Sequence, residues 1–472
     1  MEKQKVELFF IPSPLMGHAG QALELARLLV NRFHHLSITV LVMELPGDPV
    51  GTSYIHSISD DDNDRIKFIH FPPMDPDLFT EYPTVGFRVE AVIEAHRPII
   101  RELVAGQFQG SQDQAPRLSA LVVDLFCTPM IDVGKEFGVP TYVFFPSNAA
   151  FLGIILYIQT LHDEHGQDIS ELANSSTELM IPSYAAAVPP SVLPHHLLDK
   201  SQITRFNRYT RRYREAKGII LNTFQELETH ALLSYDDNTP PVYTVGPLLK
   251  PEKPTQNSDV LQWLEGQPKS SVLLLCFGSK GYFNREQVKE IAIAVEKSEY
   301  RFIWSLRRPP TEDIKNLPGE YTDYNEVLPD GFLERTADKG KVVGWVPQTE
   351  LLANMAVGGF ISHCGWNSVL ESLWYGVPIA TWPMYAEQQL NAFQLVKELG
   401  LAVEISLDYS QLSKDQSLVS AADIEKGIRE VMDTNSEVRS KVMEMKAKGR
   451  MALEEGGSSS ACLRCLVDDL IS

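Results

Sequence analysis

The chain is poor in cysteine, and its few cysteines lack the spacing of a metal site or a disulfide framework. The 472 residues include five cysteines, an odd number. They are Cys127, Cys276, Cys364, Cys462 and Cys465. We interpret Cys462 and Cys465, which fall in a predicted helix, as buried thiols. This usage is typical of a reducing compartment and excludes a disulfide-rich secreted scaffold.

Long apolar runs are also missing. No stretch of about 18 apolar residues occurs, and the segment 1–14, MEKQKVELFFIPSP, lacks the apolar core of a signal peptide. We therefore expect a soluble, cytoplasmic protein with no integral membrane association.

Basic residues are scarce relative to acidic ones. Lys and Arg total 42 against 62 for Asp and Glu, which gives a formal net charge of −20. So acidic a surface argues against nucleic acid and anionic membranes as partners. The sequence also has no G-x-G-x-x-G fingerprint, which argues against an NAD-dependent oxidoreductase.

What the sequence does contain is an alternation of short apolar strands and amphipathic helices. The length suits two large domains, and an apolar fraction of 44% is enough for two cores. The segment 151–212 is predicted to be irregular, and the prolines of 247–257 are typical of a linker. The main strands are predicted at 6–11, 37–43, 66–71, 120–126, 141–145, 218–222, 242–245, 272–277 and 301–306. The composition and pattern together predict an α/β protein with two parallel sheets.

The stretch that organises the second half runs from 345 to 388 and reads WVPQTELLANMAVGGFISHCGWNSVLESLWYGVPIATWPMYAEQ. Ser368 and Glu371 have the S-x-x-E spacing of a capping box, which predicts a helix start around 366–368. Free N–H groups and the positive end of a helix dipole suit a diphosphate. Gly376 and Pro378 are predicted to end this helix. A following strand then carries 385–388 to the same edge of the sheet.

This stretch resembles, nearly residue for residue, the 44-residue signature of plant family 1 UDP-glycosyltransferases. It has W-x-P-Q at its start, H-C-G-W-N-S in its middle and E-Q at its end. The resemblance covers essentially the whole chain and implies a GT-B fold, in which two Rossmann-like parallel-sheet domains face each other across a cleft. It implies an acceptor-binding domain at 1–249, a UDP-sugar-binding domain at 250–456, and a helix at 457–472 that packs back on the first domain.

The resemblance also implies the residues that bind the donor. Trp345 would stack on uracil, a contact worth about 1–3 kcal/mol per base, with Gln348 beside the base edge. His363, Asn367 and Ser368 would bind the diphosphate, Glu371 the ribose, and Glu387 with Gln388 the sugar. The complete expected donor set is Trp345, Val346, Gln348, His363, Gly365, Trp366, Asn367, Ser368, Glu371, Tyr385, Glu387, Gln388 and Ser279. Two purely structural interpretations stay open at this point. In the first, Glu371 is only part of a helix cap, and in the second, His363 is only the residue that ends a strand.

His18 and Asp124 are the expected catalytic pair. His18 follows the first strand at a strand-to-helix junction, where a positive helix end lowers an imidazole pKa and favours a neutral base. Asp124 lies near the end of a buried strand and needs a partner, because an unpaired buried charge is costly. The resemblance pairs these two residues, and adds Gly17 and Ser147 on the acceptor side.

Other features of the sequence are less informative about function. The acidic runs 60–64 and 75–77 match the D-x-D pattern of another glycosyltransferase class, but both are predicted in loops, so no metal site is expected. Leu15, Met16 and the segment 19–21 depart from the family pattern next to His18, and two effects stay open: a reshaped acceptor pocket or a looser helix start. Asn354 stands where the family commonly has histidine, and we interpret it as structural.

The function implied is inverting transfer of glucose from UDP-glucose to a hydroxyl of a small lipophilic acceptor, a phenolic, flavonoid or terpenoid of plant secondary metabolism. No cofactor or metal is expected, UDP-glucose being a co-substrate, and the protein is expected to be a monomer. The alternative is a non-catalytic sugar-nucleotide or metabolite-binding protein of the same fold, against which the presence of both His18 and Asp124 argues. Acceptor identity, regiochemistry and the choice among O, N and S attack stay open.

Overall fold

The computed structural model describes residues 5–59, 63–79, 81–82, 84–108, 117–250, 259–310, 318–413 and 417–471. Several predicted features therefore lie outside the described residues: the acidic residues 60–62, most of the linker at 251–257, and residue 472.

Within that part of the chain the strands form two separate parallel sheets. The strands of the first sheet are β1 (Val6–Ile11), β2 (Leu36–Val42), β3 (Ile66–His70), β4 (Arg117–Asp124), β5 (Thr141–Phe145), β6 (Gly218–Leu221) and β7 (Val242–Thr244). Those of the second are β8 (Val272–Cys276), β9 (Arg301–Ser305), β10 (Gly340–Val343), β11 (Val357–Ser362), β12 (Ile379–Thr381) and β13 (Ala402–Glu404).

Helices connect these strands. In the first half they are α1 (Met16–Arg32), α2 (Pro49–Ser59), α3 (Val85–Gly106), α4 (Met130–Phe137), α5 (Ala149–His165), α6 (His195–Leu198), α7 (Lys200–Tyr213) and α8 (Thr229–Leu233). In the second half they are α9 (Asp259–Glu265), α10 (Arg285–Ser298), α11 (Phe332–Arg335), α12 (Gln348–Ala353), α13 (Trp366–Tyr375), α14 (Gln388–Phe393), α15 (Ala421–Met432), α16 (Glu437–Leu453) and α17 (Ser458–Ile471).

Both sheets are covered on both faces. The order of the first is β3-β2-β1-β4-β5-β6-β7 and that of the second is β10-β9-β8-β11-β12-β13. Along β1, Phe9 and Ile11 join one apolar cluster while Leu8 and Phe10 join another. Strands buried on both faces need continuous apolar runs, which explains why the predicted strands showed no polar alternation.

The two halves share packing. One apolar cluster contains Phe9 of the first sheet and Leu274 of the second, so it is continuous between them. The helix α17 packs on the first sheet, where Leu463 and Leu466 join the cluster of Leu8. Ser119 Oγ donates to the carbonyl oxygen of Leu470 at 2.6 Å. We keep 1–249, 250–456 and 457–472 as proposed domain limits.

Two expectations about this part of the molecule were wrong. The segment 151–212 is not irregular throughout, because it holds most of α5 and α7. The helix α5 is buried around most of its first three turns, so the sequence there shows no amphipathic period that would mark a helix. Cys462 is only partly buried and Cys465 is exposed, so the prediction of two buried thiols was wrong as well.

A membrane span can be tested on the same residues. None of the described helices combines the length and apolar character that crossing a bilayer requires.

Candidate active site

The carboxyl ends of the two sheets face each other and touch. Ser147, which follows β5, donates from Oγ to Glu387 Oε1 at 3.3 Å. Asn148 Nδ2 donates to Asn391 Oδ1 and to Gln394 Oε1, both at 3.0 Å. In parallel sheets the loops at this edge carry ligand-binding groups, so the cleft between the sheets is the candidate site.

Adjacent strands bring His18 and Asp124 together. The strands β1 and β4 pair in parallel, with Ile11 opposite Val123, and Asp124 is the last residue of β4. His18 lies in the first turn of α1, and its Nδ1 is 2.7 Å from Asp124 Oδ2. Asp124 Oδ1 also accepts the backbone N–H of Phe126 at 3.1 Å. The carboxylate therefore holds the proton on Nδ1 and leaves Nε2 as the basic nitrogen.

The pKa of His18 shifts in the direction opposite to the one expected. Burial lowers the pKa of His18, but the charge and hydrogen bond of Asp124 and the charge of Glu387 outweigh it, so the pKa is raised above 6.5. The expectation that the helix end would lower this pKa was wrong, because a buried carboxylate in direct contact acts more strongly than a partial charge. The side chain of His18 remains 24% exposed and that of Asp124 1% exposed, which leaves the imidazole accessible from the cleft.

Across the cleft, α13 begins without a side-chain cap. Its N-cap residue is Gly365, and the first helical residue is Trp366. Ser368 lies inside the first turn, and its Oγ accepts from Gln348 Nε2 at 2.9 Å, so the predicted capping box was wrong. The buried Oδ1 of Asn367 has no hydrogen-bond partner among the described residues. Uncapped N–H groups at a helix start suit an anionic ligand, and Asn367 Oδ1 can accept a hydrogen bond from a donor on that ligand.

His363 lies between two glycines at the end of β11. A Cβ atom at Gly278 or at Gly365 would come within 2.6 Å of His363 Nε2, so both positions admit only glycine without rearrangement. Burial lowers the pKa of His363 to about 4. The imidazole is therefore neutral near pH 7 and offers a hydrogen bond rather than a positive charge.

The residues expected at the nucleoside lie around the start of α12. Trp345 is 64% exposed, whereas Val346 is buried. Gln348 Nε2 donates to Glu371 Oε2 at 2.7 Å. Burial raises the pKa of Glu371, while the hydrogen bond from Gln348 and the charge of Lys250 act in the opposite direction. Glu371 is thus a buried acceptor bound by Gln348 and not a helix cap.

Gln388 shapes the turn that precedes α14. Its Oε1 accepts the backbone N–H groups of Met384 and Tyr385, both at 3.0 Å. This turn includes Ala386 at a φ of 57° and presents Glu387 to Ser147. With Oε1 occupied by the backbone, Gln388 can offer a ligand its amide N–H groups.

Sequence and structure comparisons decide the family. Residues 226–447 match the family model described as UDP-glucoronosyl and UDP-glucosyl transferase. UDP-glycosyltransferase 71A15 of Malus domestica is 48% identical over 99% of this chain and 100% of its own length. A putative UDP-glucose flavonoid 3-O-glucosyltransferase 3 of Fragaria ananassa is 48% identical over the full length of both chains. The chain belongs to the plant family 1 UDP-glycosyltransferases.

Solved structures agree with this assignment. A UGT transferase from Siraitia grosvenorii in complex with UDP is 42% identical, with a TM-score of 0.87 over 99% of this chain and 100% of that one. Medicago truncatula UGT71G1 complexed with UDP-glucose is 39% identical, with a TM-score of 0.85 over 99% of both chains. The GT-B fold and the enzyme class are confirmed, and membership of this family favours a UDP-glycosyltransferase over a non-catalytic binding protein.

In this UDP-glycosyltransferase the structure also shows a cation that sequence reasoning did not select. Lys280 follows Gly278 and Ser279 after β8, and its charge lowers the pKa of His18 across the cleft. Burial lowers the pKa of Lys280 itself, against the charge of Asp48. The sequence signal was present in the F-G-S-K loop, but the loop does not reveal which strand end it faces. Ser279 is exposed beside it.

The first turns of α1 contain Gly17 and the segment 19–21, which were also singled out in the sequence. Gly17 is exposed, with open space where a Cβ would lie. Gly20 packs against the Tyr54 hydroxyl, and the buried Gln21 Oε1 accepts from Asn222 Nδ2 at 2.8 Å. These two departures from the family pattern therefore contact the protein interior.

Two further side chains have structural contacts. Trp366 was expected among the donor ligands. Its indole is buried, however, and its Nε1 donates to the Asn222 carbonyl at 2.6 Å, so only the backbone of Trp366 is left to contact a ligand at the helix start. Asn354 Oδ1 accepts the Ala356 N–H at 2.9 Å, which confirms a structural role.

Proposed function

We propose that this enzyme transfers glucose from UDP-glucose to a hydroxyl of a small lipophilic acceptor, with inversion at the anomeric carbon. The observation that carries the proposal is the 2.7 Å contact of His18 Nδ1 with Asp124 Oδ2 at a cleft whose opposite wall holds an uncapped helix start. Relatives named as flavonoid and anthocyanidin 3-O-glucosyltransferases support glucose as donor sugar and a phenolic as acceptor. The Medicago relative complexed with UDP-glucose supports the donor.

In the proposed reaction His18 is the general base. Its Nε2 takes the acceptor hydroxyl proton while the acceptor oxygen forms a bond to the anomeric carbon. The bond from that carbon to the phosphate oxygen breaks on the opposite face, which inverts the configuration and releases UDP. Asp124 stabilises the imidazolium that forms, as the carboxylate does in a Ser-His-Asp triad.

The negative charge that develops on UDP would be met by groups of the second sheet. We assign the backbone N–H groups at Trp366 and Asn367, the Ser368 hydroxyl and neutral His363 as hydrogen-bond partners of the diphosphate. Lys280 adds a positive charge on the same side of the cleft. The proposed reaction uses no metal and no cofactor.

We assign the rest of the donor to the exposed indole, the buried carboxylate and the turn before α14. Trp345 would stack on uracil and Glu371 would accept from the ribose hydroxyls. Glu387 and Gln388 would bind the glucose hydroxyls, and Ser147 would position Glu387 from the acceptor side.

Replacing His18 by Ala tests the base. We expect turnover to fall by about 10²–10⁴-fold, the usual contribution of a general base, while the Kd for UDP stays within about twofold. Product formation from UDP-glucose and a phenolic acceptor measures the first quantity, and isothermal titration the second. His165→Ala, at an exposed histidine in the last turn of α5, is the matched control. Unchanged turnover in His18→Ala would remove the proposed base.

A mass-spectrometric screen of acceptors against several UDP-sugars would resolve donor and acceptor together, and NMR of the product would give the anomeric configuration. The cytoplasmic location and the monomeric state stay predictions from the sequence.

A further inference from the structure

Three side chains from different elements converge at the far end of the first sheet. Glu44 follows β2, His70 ends β3, and His56 lies in the last turn of α2. One ligand atom from each lies within 4.8 Å of the others. The two imidazole rings are nearly parallel, with centroids 4.9 Å apart and an interplanar angle of 5°. None of these residues belongs to the proposed transfer site.

The distance between His56 and Glu44 is close to that expected between two ligands of a small cation. His56 Nε2 is 2.9 Å from Glu44 Oε1. Two ligand atoms bound to one tetrahedral zinc ion are separated by about 3.3 Å, since each lies about 2.0–2.1 Å from the metal. The three ligand atoms all lie within 4.8 Å of one another, so the pairs that stand further apart would close by up to about 1.5 Å around a bound ion.

The chemistry of the three ligands selects the kind of ion. Two imidazole nitrogens and one carboxylate suit a first-row transition metal, whereas Ca²⁺ and Mg²⁺ require mostly oxygen ligands. The other oxygen of the carboxylate is already held, because Thr52 Oγ1 donates to Glu44 Oε2 at 3.3 Å. Such a hydrogen bond orients a metal-binding carboxylate.

We propose that Glu44, His56 and His70 form a binding site for a divalent transition-metal cation, with Zn²⁺ the best match. A bound ion would link α2 to the ends of β2 and β3. That helix also carries Tyr54, whose ring lies 4.9 Å from Lys250 Nζ and whose hydroxyl abuts Gly20. The metal would therefore stabilise the position of α2 on the first sheet and take no part in glucosyl transfer.

The site can be tested with Zn²⁺ alone. Full-length protein, freed of affinity tag and treated with EDTA, is titrated with Zn²⁺ by calorimetry, and its thermal unfolding is followed with and without the ion. We expect about one equivalent to bind and the midpoint of unfolding to rise, because an ion that binds only the folded state stabilises it. His56→Gln combined with His70→Gln should weaken binding by more than about tenfold and abolish the thermal shift.

Two controls separate this site from other zinc ligands. Cys465→Ser removes an exposed thiol and His165→Ala removes an exposed histidine. Each of these variants should still bind about one equivalent of Zn²⁺. Visible absorption of Co²⁺ added to the wild type should report nitrogen and oxygen ligands and disappear in the double variant. UDP affinity shows that the double variant is folded. Absence of stoichiometric binding, or equal binding by the double variant, would overturn the proposal and leave His56 and Glu44 as a surface ion pair.

Discussion

Asp124 sets both the orientation and the proton affinity of His18. Because the pKa of His18 is raised by this carboxylate, turnover should increase as pH rises through a value above 6.5, where the imidazolium loses its proton. The same pair stabilises the folded protein while His18 is protonated. That contribution is present below pH 6.5 and is lost as the pH rises through the higher pKa of the folded state.

Asp124→Asn tests this dependence. With the carboxylate charge removed, burial dominates and the pKa of His18 should fall below 6.5, so the acid limb of the kcat/KM profile moves to lower pH. The maximum rate should fall by about 10²–10⁴-fold, because the amide no longer stabilises the imidazolium. Asp132→Asn, at an exposed carboxylate of α4, should change neither quantity. An acid limb that stays in place would show that Asp124 does not control the base.

At the scale of elements, the loop after β8 and the start of α13 form one unit around His363. Gly278 has a φ of 71°, and a Cβ there would lie 2.6 Å from His363 Nε2. A side chain in this conformation costs about 1–2 kcal/mol even without the contact.

Gly278→Ala should therefore weaken UDP binding by at least about tenfold through displacement of His363. Gly106→Ala at the end of α3, with open space around its Cβ and no positive φ, is the matched control and should be neutral. Titration with UDP and thermal unfolding measure both effects. Normal UDP affinity in Gly278→Ala would show that His363 does not contact the diphosphate.

Much at these two scales could be predicted from the sequence, and the failures have physical causes. The strands followed from their continuous apolar runs, and the pairing of His18 with Asp124 followed from the resemblance. The S-x-x-E spacing of Ser368 and Glu371 was misleading, because Gln348 from a separate element binds both side chains. Lys280 and the cluster of Glu44, His56 and His70 were missed because their partners come from distant loops and share no local motif.

At the scale of the whole molecule, the halves are joined by buried polar contacts. Trp366 of α13 donates to the Asn222 carbonyl after β6, and Asn148 contacts Asn391 and Gln394. Gln394 Nε2 in turn donates to buried Glu228 at 3.2 Å. These contacts join the two walls of the cleft, one of which carries His18 and the other the start of α13.

Trp366→Phe should destabilise the protein by about 1–3 kcal/mol, because it leaves the buried Asn222 carbonyl without its donor. Urea unfolding measures the loss, and turnover should fall with it, since both walls of the cleft depend on this contact. Trp374→Phe, at a partly exposed indole beneath Arg450, is the control and should lose less than about 1 kcal/mol. Equal stability of the two variants would remove Trp366 from the interface between the halves.

The packing of α17 has a consequence for how the protein is made. Leu463, Leu466 and Leu470 cover the same face of the first sheet as Leu8 and Phe10, although the ribosome produces them only after the second sheet has been synthesised. Until then the part of that face that α17 covers, beside β4 and β7, is open to water and to other nascent chains. We therefore expect the first domain to mature only after α17 emerges, and chaperones that shield apolar surface to raise the yield of active enzyme.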